Sequence, residues 1–443
     1  MLKTFGIGGI HPHDHKISAG TAIQPLALPD QVVIPLAQHI GAPCQAVVKR
    51  GDRVKVGTLI GKSAGFVSAN IHSSVSGTVI KIDKALDASG YKRDAVFIRV
   101  EGDEWEPSID RSETLVKECS LSQKEIIDKI AAAGIVGMGG ATFPTHVKLM
   151  PPPGNKAEVL IVNGVECEPY LTSDHRLMLE KTEEILAGIT LLMKALNVNS
   201  TVIGIENNKR DAIVKLTEAA KAYPGIRVQP LKVQYPQGGE KQLIDAVTGR
   251  QVPSGALPIA VGAVVQNIGT VFAVYEAIQK NKPLVERVVT VTGEDVKQPC
   301  NVRSRVGVSI ARLIDAAGGL PESTGKVISG GPMMGKALSS TDVPVTKGTS
   351  GVLMLPVVEA KRKAMRNCIR CAKCVGVCPM GLNPTLLMTL TEYAVWDKAE
   401  KERITDCIEC GSCSFTCPAN RPLLDYIRLG KGKVMGIIRA RKK

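Results

Sequence analysis

A chain of 443 residues, 44% hydrophobic and 22% charged, has room for about three or four domains, each with its own core. Aromatic residues make up only 3%, too few for a surface of stacked bases, and the net charge of +14 comes with no recognised nucleic-acid motif, so nucleic acid is set aside as a partner. No charged head followed by an apolar core opens the chain, and the richest apolar window, 256–274, is broken by Pro258, Gly262, Gln266 and Asn267, so neither a secretory signal nor a membrane span is expected.

The N-terminal cluster His11-Pro-His13-Asp-His15 reads either as a metal site or, more simply, as an exposed loop. Next, Val47 to Gly57 alternates apolar and polar residues around Gly51 and Gly57, and Ser73 to Ile80 follows in the same style. Short strands with regular turn signals predict a β module over residues 1–105. It is similar to the barrel-sandwich hybrid of biotinyl and lipoyl domains. No Met-Lys-Met-like hairpin lies between Gly57 and Ser73, so the module is read as structural and not as a carrier.

Residues 106–285 alternate helix and strand. Ser122 and Glu125 form a capping box ahead of a helix over 124–133. Strands are predicted at 159–162, 201–205 and 226–231, with helices at 174–196, 209–222 and 240–247. Strand and helix in turn imply a Rossmann-like fold with a largely parallel sheet, whose ligands collect at the carboxyl ends of strands. The Gly-rich loop Gly137-Met-Gly139-Gly140-Ala-Thr-Phe143-Pro144 suits a phosphate, because glycines let backbone N–H groups approach, though alone it is equally a packing turn. Two neighbours strengthen the ligand reading: Asn163-Gly-Val-Glu166-Cys-Glu168 ends a strand, and Tyr235-Pro-Gln-Gly238-Gly239-Glu240 opens a helix.

Residues 286–356 read as a small α+β unit with a helix over 307–317. A charged stretch, 357–366, leads into a cysteine-rich region, 357–430, with helices expected at 383–394 and 423–429. There the pattern C-x2-C-x2-C-x3-C-P occurs twice, as Cys368, Cys371, Cys374, Cys378 and as Cys407, Cys410, Cys413, Cys417. In this ferredoxin-type run the first three thiolates hold one [4Fe-4S] cluster and the fourth ligates the other. The expected sets are therefore Cys368, Cys371, Cys374 and Cys417, and Cys407, Cys410, Cys413 and Cys378. Two zinc sites would need only four ligands each and leave the doubled Cys-Pro unexplained. A disulfide framework conflicts with the reducing compartment expected of a chain without a signal. Cys44, Cys119, Cys167 and Cys300 are left over as small apolar side chains. The last segment, 431–443, is a basic tail, suited to an anionic lipid surface or an acidic partner, or simply solvated.

Taken together, these residues resemble the C subunits of Rnf-type ion-translocating electron transport complexes, which are ferredoxin:NAD oxidoreductases. The likeness runs from Gly8-Gly9-Ile-His11-Pro12 to the second cysteine run. The middle is also similar to the flavin-bearing, NADH-oxidising subunit of complex I. The resemblance implies a multidomain α/β protein: a barrel-sandwich domain, a Rossmann-like domain for FMN and NADH, a β-grasp (SLBB-type) domain, and an α-helical ferredoxin domain with two [4Fe-4S] clusters. It implies non-covalent FMN, with NAD(H) as substrate. Gly137, Gly139, Gly140 and Lys148 match flavin-contacting positions, as do Asn163 and Glu166. Glu168 matches the acid beside the nicotinamide, and with Lys148 is the expected catalytic pair. Phe143 matches an adenine-stacking aromatic, Gly239 and Glu240 a Gly-Glu-Glu motif, and Asn267 and Thr270 a flavin-phosphate loop. Lys241 and Val165 depart from the complex I pattern, where acids stand.

The resemblance further implies integral membrane and iron–sulfur partner subunits and a place at the cytoplasmic side of the cell membrane. NADH yields two electrons together and a cluster takes one, so a flavin between them matches the chemistry. Two other readings stay open: a flavin and iron–sulfur corrinoid (cobalamin) reductase, and a flavin-free electron-transfer or docking module.

Overall fold

The computed structural model describes residues 2–441. The β module forms as expected from residue 31 onward. Its main antiparallel sheet runs Gln31–Pro35, Lys92–Val100, Gly77–Leu86, Arg53–Val54, and Gln45–Ala46, Leu59–Lys62 and Ile71–His72 make a second. Alternation is what folds it: Val32 and Ile34, and Val96 and Ile98, point the same way and are fully buried.

Residues 3–25, expected within that module, pair elsewhere. Lys3 bridges Leu231, Ile10 bridges Tyr235, and Ile23–Pro25 runs parallel to Cys300–Arg305 as an edge strand of another sheet. The stretch cannot hold a long ladder, since Gly8, Gly9 and His15 all take positive φ, so it follows the surfaces of its neighbours.

The Rossmann-like unit has four parallel strands in the order Ile226–Leu231, Thr201–Glu206, Val159–Asn163, Ala263–Asn267. Helices cover both faces, which explains why Thr201–Glu206 is buried at every residue. The capping box is present, Ser122 accepting from Glu125 at the head of Gln123–Ala132. The single helix expected over 174–196 is two, Ser173–Glu180 and Thr182–Leu196. The Thr182 hydroxyl bonds back to the Met178 carbonyl at 2.7 Å, a contact that bends helices.

A six-stranded mixed sheet follows, in the order Ile23–Pro25, Cys300–Arg305, Glu286–Thr292, Gly351–Pro356, Thr324–Ser329, Lys336–Ala337. Its helix is only Ile310–Ala316, because Gly307 and Val308 still bond to Val345 as extended chain.

The C-terminal unit is helical: Lys373–Gly376, Pro384–Glu392, Trp396–Lys401, Ser412–Phe415 and Leu423–Arg441. The last helix absorbs the described part of the segment expected as a tail. Three glycines at 430, 432 and 436 lower its intrinsic propensity. Tertiary packing overrides them: Ile427, Gly430 and Val434 form a buried face, and Arg441 pairs with Glu400 at 2.8 Å and Asp397 at 3.2 Å. Lys442 and Lys443 lie outside the described residues. No helix among the described residues is long and apolar enough to cross a membrane.

Candidate functional site

The parallel sheet places Asn163 and Asn267 side by side, as register partners at the carboxyl ends of neighbouring strands. Asn267 caps the helix Ile268–Gln279, its Oδ1 accepting from Gly269 N at 2.8 Å and Thr270 N at 3.3 Å. Such a cap is worth about 1 kcal/mol. The Thr270 hydroxyl accepts from Met138 N at 2.8 Å and donates to the Val136 carbonyl at 3.3 Å, drawing the Gly-rich loop onto the helix N-terminus. Gly139 must be glycine twice over: its φ is +85°, and a Cβ would lie 2.8 Å from Asn267 Nδ2. The loop closes through Gly137 N to Phe143 O at 2.8 Å, leaving Gly140 exposed and Phe143 half-buried.

After Pro144 comes the one-turn helix Thr145–Lys148, which aims Lys148 at Glu240. The pair stands at 2.6 Å, and Lys148 Nζ also donates to the Val265 carbonyl at 3.2 Å. Glu240 is the first residue of Glu240–Thr248, where the helix dipole favours an acid, and Gly239 occupies the cap. Asn163 stitches two loops together, donating from Nδ2 to the Gly238 carbonyl at 2.8 Å while its Oδ1 accepts from Val165 N at 3.2 Å.

The acids of the 163–169 loop are both engaged. Glu166, at φ +47°, turns its carboxylate onto the head of Ser173–Glu180, accepting from Asp174 N at 2.7 Å and His175 N at 3.1 Å. Glu168 accepts from Met333 N at 3.1 Å and Met334 N at 2.7 Å, backbone groups of the six-stranded unit. Burial pushes the Glu168 carboxyl up to about 7.

Two buried ammonium groups that no motif announces hold this loop. Lys16 donates to the carbonyls of Glu166, Glu168 and Leu171 at 2.8, 2.9 and 2.7 Å, and burial pulls it down to about 8. Lys209, 1% exposed, donates to the Val165 carbonyl at 2.8 Å.

In the helical unit, Cys378, Cys407, Cys410 and Cys413 line one cavity. Burial raises the Cys407 thiol to about 11 and Cys413 to about 12, so a group bound there has to displace the protons of both sulfurs. The two runs fold alike. Arg370 and Ala372 in the first, and Glu409 and Gly411 in the second, take left-handed backbone. Arg370 N and Glu409 N each donate to the sulfur two residues back at 3.4 Å. Leu382 N donates to Cys378 Sγ and Arg421 N to Cys417 Sγ, again at 3.4 Å. The runs differ in burial: Cys368 and Cys371 are exposed, whereas Cys410 and Cys413 are buried. Among the described residues no three His, Cys, Asp or Glu converge tightly enough for a single ion. Of the N-terminal histidines, His13 and His15 stay edge-to-face at 5.8 Å with His15 also stacked on Tyr170 at 4.7 Å, while His11 bonds the Val233 carbonyl at 3.1 Å.

One segment joins the two regions. Tyr235, 2% exposed, donates its hydroxyl to the Cys410 carbonyl at 2.8 Å. It packs with Ile10, Cys410 and the half-buried Cys167 in one apolar cluster. Gly238 N donates to Cys167 Sγ at 3.3 Å, and Gln242 Nε2 donates to the Pro379 carbonyl at 3.2 Å. Sequence alone assigns Tyr235 to a loop and Cys167 to packing, and nothing in their spacing points to the cysteine cavity.

Four family profiles match consecutive stretches: the RnfC barrel sandwich hybrid domain at 4–103, the Nuo51 FMN-binding domain at 130–276, the SLBB domain at 288–337 and a 4Fe-4S dicluster domain at 360–418. Fold and site thus define a flavin- and iron–sulfur-type electron-transfer protein. Over 98% of its length the chain is 49% identical to the C subunit of the proton-translocating ferredoxin:NAD(+) oxidoreductase complex of Clostridium ljungdahlii, spanning 94% of that protein. It is 47% identical to the Na(+)-translocating counterpart of Acetobacterium woodii, over 97% of this chain and 96% of that one. The chain belongs to this family, the C subunits of ion-translocating ferredoxin:NAD(+) oxidoreductase complexes. Its fold is also like a chain of the NAD+-reducing [NiFe]-hydrogenase in the H2-reduced state, with a TM-score of 0.50 at 19% identity, covering 71% of this chain and 62% of that chain.

Proposed function

We propose that this chain is the peripheral subunit of a membrane-bound ferredoxin:NAD oxidoreductase complex, at the cytoplasmic face. There it exchanges hydride between NAD(H) and FMN and relays single electrons through two [4Fe-4S] clusters to or from its partners. Ion translocation is left to other subunits. The observation that carries this reading is the 235–242 segment, which meets Asn163 through Gly238 and, on either side of it, Cys410 through Tyr235 and Pro379 through Gln242.

The residues present fit FMN. Gly140 has nothing within 4 Å of where a Cβ would stand, so the backbone there is open to a ligand, and Gly139 can carry no side chain because a Cβ would lie 2.8 Å from Asn267 Nδ2. FMN, when bound, supplies the conversion between two-electron and one-electron chemistry. Asn163 would hold the flavin by hydrogen bonding, with Gly139 and Gly140 offering N–H groups, Gly137 shaping the loop through its bond to Phe143, and Asn267 and Thr270 anchoring the phosphate end. Lys148 supplies positive charge, balanced by Glu240 on the nicotinamide side beside Gly239. Phe143 would stack on the adenine. Glu168, half-buried and with its carboxyl pushed up by desolvation, would orient the nicotinamide amide, and Glu166 shapes the loop through its helix cap.

The residues fit clusters as well. Cys407, Cys410, Cys413 and Cys378 would hold one and Cys368, Cys371, Cys374 and Cys417 the other. Their thiolates would ligate the irons, and the backbone N–H groups that donate to Cys368, Cys378, Cys407 and Cys417 would stabilise charge on sulfur.

The test is anaerobic purification followed by flavin and iron analysis and NADH-driven reduction of a one-electron dye. Clusters without flavin would instead favour a docking module, and preferential cob(III)alamin reduction the corrinoid reductase. The names of the relatives favour the Rnf-type reading.

A further inference from the structure

A second cavity lies where the Rossmann-like and six-stranded units meet, bordered by Met138, Ser173, Asp174, Gly269, Phe272 and Arg287. Arg287 comes from the strand Glu286–Thr292 and crosses to the other unit, with only 6% of its surface exposed. Such a cation is expected to be saturated with acceptors, since a guanidinium carries five donors. It is not: Nε donates to the Thr349 carbonyl at 3.2 Å, and Nη1 meets only the thioether of Met138 at 2.7 Å. Nη2 has no hydrogen-bond partner among the described residues. Burial draws the group down to about 10 against the opposing pull of the nearby Asp174 carboxylate.

The guanidinium is aimed at a helix head. A Cβ on Gly269 would lie 3.3 Å from Arg287 Nη1, 3.1 Å from Asn267 Oδ1 and 3.6 Å from Asp174 Oδ1. Gly269 belongs to the first turn of Ile268–Gln279, a twelve-residue helix whose positive end faces the same space. The Gly-rich loop closes the other side, through Met138 N on Thr270 at 2.8 Å. Three acids border the cavity. Glu276 and Glu286 are taken by Lys282, at 2.8 and 2.5 Å. Asp174 accepts from Asn267 Nδ2 at 2.7 Å, and burial followed by the nearby Glu166 raises it to about 7.

A buried, under-partnered guanidinium, a helix N-terminus and a glycine loop converging on one space make an anion site. We propose that Arg287, supplied by the six-stranded unit, is the counter-charge for the phosphate monoester of the flavin, and that Asp174 is the acid that weakens phosphate binding there. The inference rests on the FMN reading above. It makes flavin retention depend on the docking of two units, so the cofactor would clamp them together.

The test is a fluorescence titration of the full-length chain, prepared anaerobically and freed of flavin, with FMN and with riboflavin, which lacks the phosphate. Arg287→Gln should weaken FMN binding about tenfold, the loss of a charge-assisted phosphate contact, and leave riboflavin binding unchanged. Arg287→Lys should recover part of the loss, and Asp174→Asn should tighten FMN with no change for riboflavin. Iron content equal to the parent's checks that each variant is folded. Equal losses for both flavins, or no loss for either, would overturn the proposal. So would a loss of NAD(H) affinity with FMN untouched, which would assign the site to the dinucleotide's pyrophosphate. A parent chain that takes up neither flavin would remove the FMN reading itself, and this inference with it.

Discussion

The Tyr235 hydroxyl donates to the carbonyl oxygen of Cys410 at 2.8 Å, within an apolar cluster that also contains Cys167. This bond links the loop next to Asn163 to the wall of the cysteine cavity without any intervening water-exposed stretch. Tyr235→Phe removes one buried hydrogen bond, about 1 kcal/mol, and keeps the packing. Flavin and iron contents should stay at parental levels while electron transfer between flavin and clusters slows several-fold in stopped-flow traces. The NADH-to-flavin phase should be unchanged, and slowing of both phases alike would contradict the link.

Cys378 belongs to the first run by sequence but lines the cavity of the second. Cys378→Ser should therefore disturb the cluster of Cys407, Cys410 and Cys413, whereas Cys417→Ser should disturb that of Cys368, Cys371 and Cys374. Since the latter set includes the exposed Cys368 and Cys371, the two lesions should give distinct EPR signatures. Identical spectra from the two variants would argue against crossed ligation.

Lys148 and Glu240 are 27% and 39% exposed, so their 2.6 Å pair contributes little to stability, well under about 1 kcal/mol. Lys148→Ala should leave thermal unfolding almost unmoved yet weaken flavin binding and slow hydride transfer by about tenfold or more. Circular-dichroism melting beside an NADH titration separates the two effects.

Glu168 is an acid whose carboxyl is raised from 4.5 to about 7 in the folded chain. Between these values the folded state binds more protons than the unfolded one, so this group makes stability fall as pH rises from about 4.5 to about 7. Its contribution is complete below the lower value and gone above the upper. Glu168→Gln should flatten that part of the stability curve, as measured by denaturant midpoint against pH. An unchanged slope would mean the carboxylate is already ionised across the window.

What could be read from the chain alone was local. The Ser122–Glu125 box, the glycine at 139 and the doubled cysteine run each carry their chemistry within a few residues, and the structure has the box and the loop as expected. The carboxyl-edge residues Asn163 and Asn267 were legible because strand–helix alternation fixes where such edges fall. Lys16, Lys209 and Arg287 were not. Each acts on backbone or space far away in sequence, Lys16 some 150 residues from its carbonyl partner, and a lone buried cation has no spacing signature. The C-terminal helix was hidden by its glycines, and the excursion of residues 3–25 by the absence of any alternation to follow.

The central claim is that paired electrons enter at the flavin site and leave singly through two clusters. A stepwise anaerobic NADH titration, followed together by flavin absorbance and EPR on material carrying about eight irons per chain, tests it most directly. The account predicts flavin bleaching accompanied by the successive appearance of two reduced-cluster signals. Clusters that stay oxidised while the flavin bleaches fully, even with a low-potential mediator present, would contradict it.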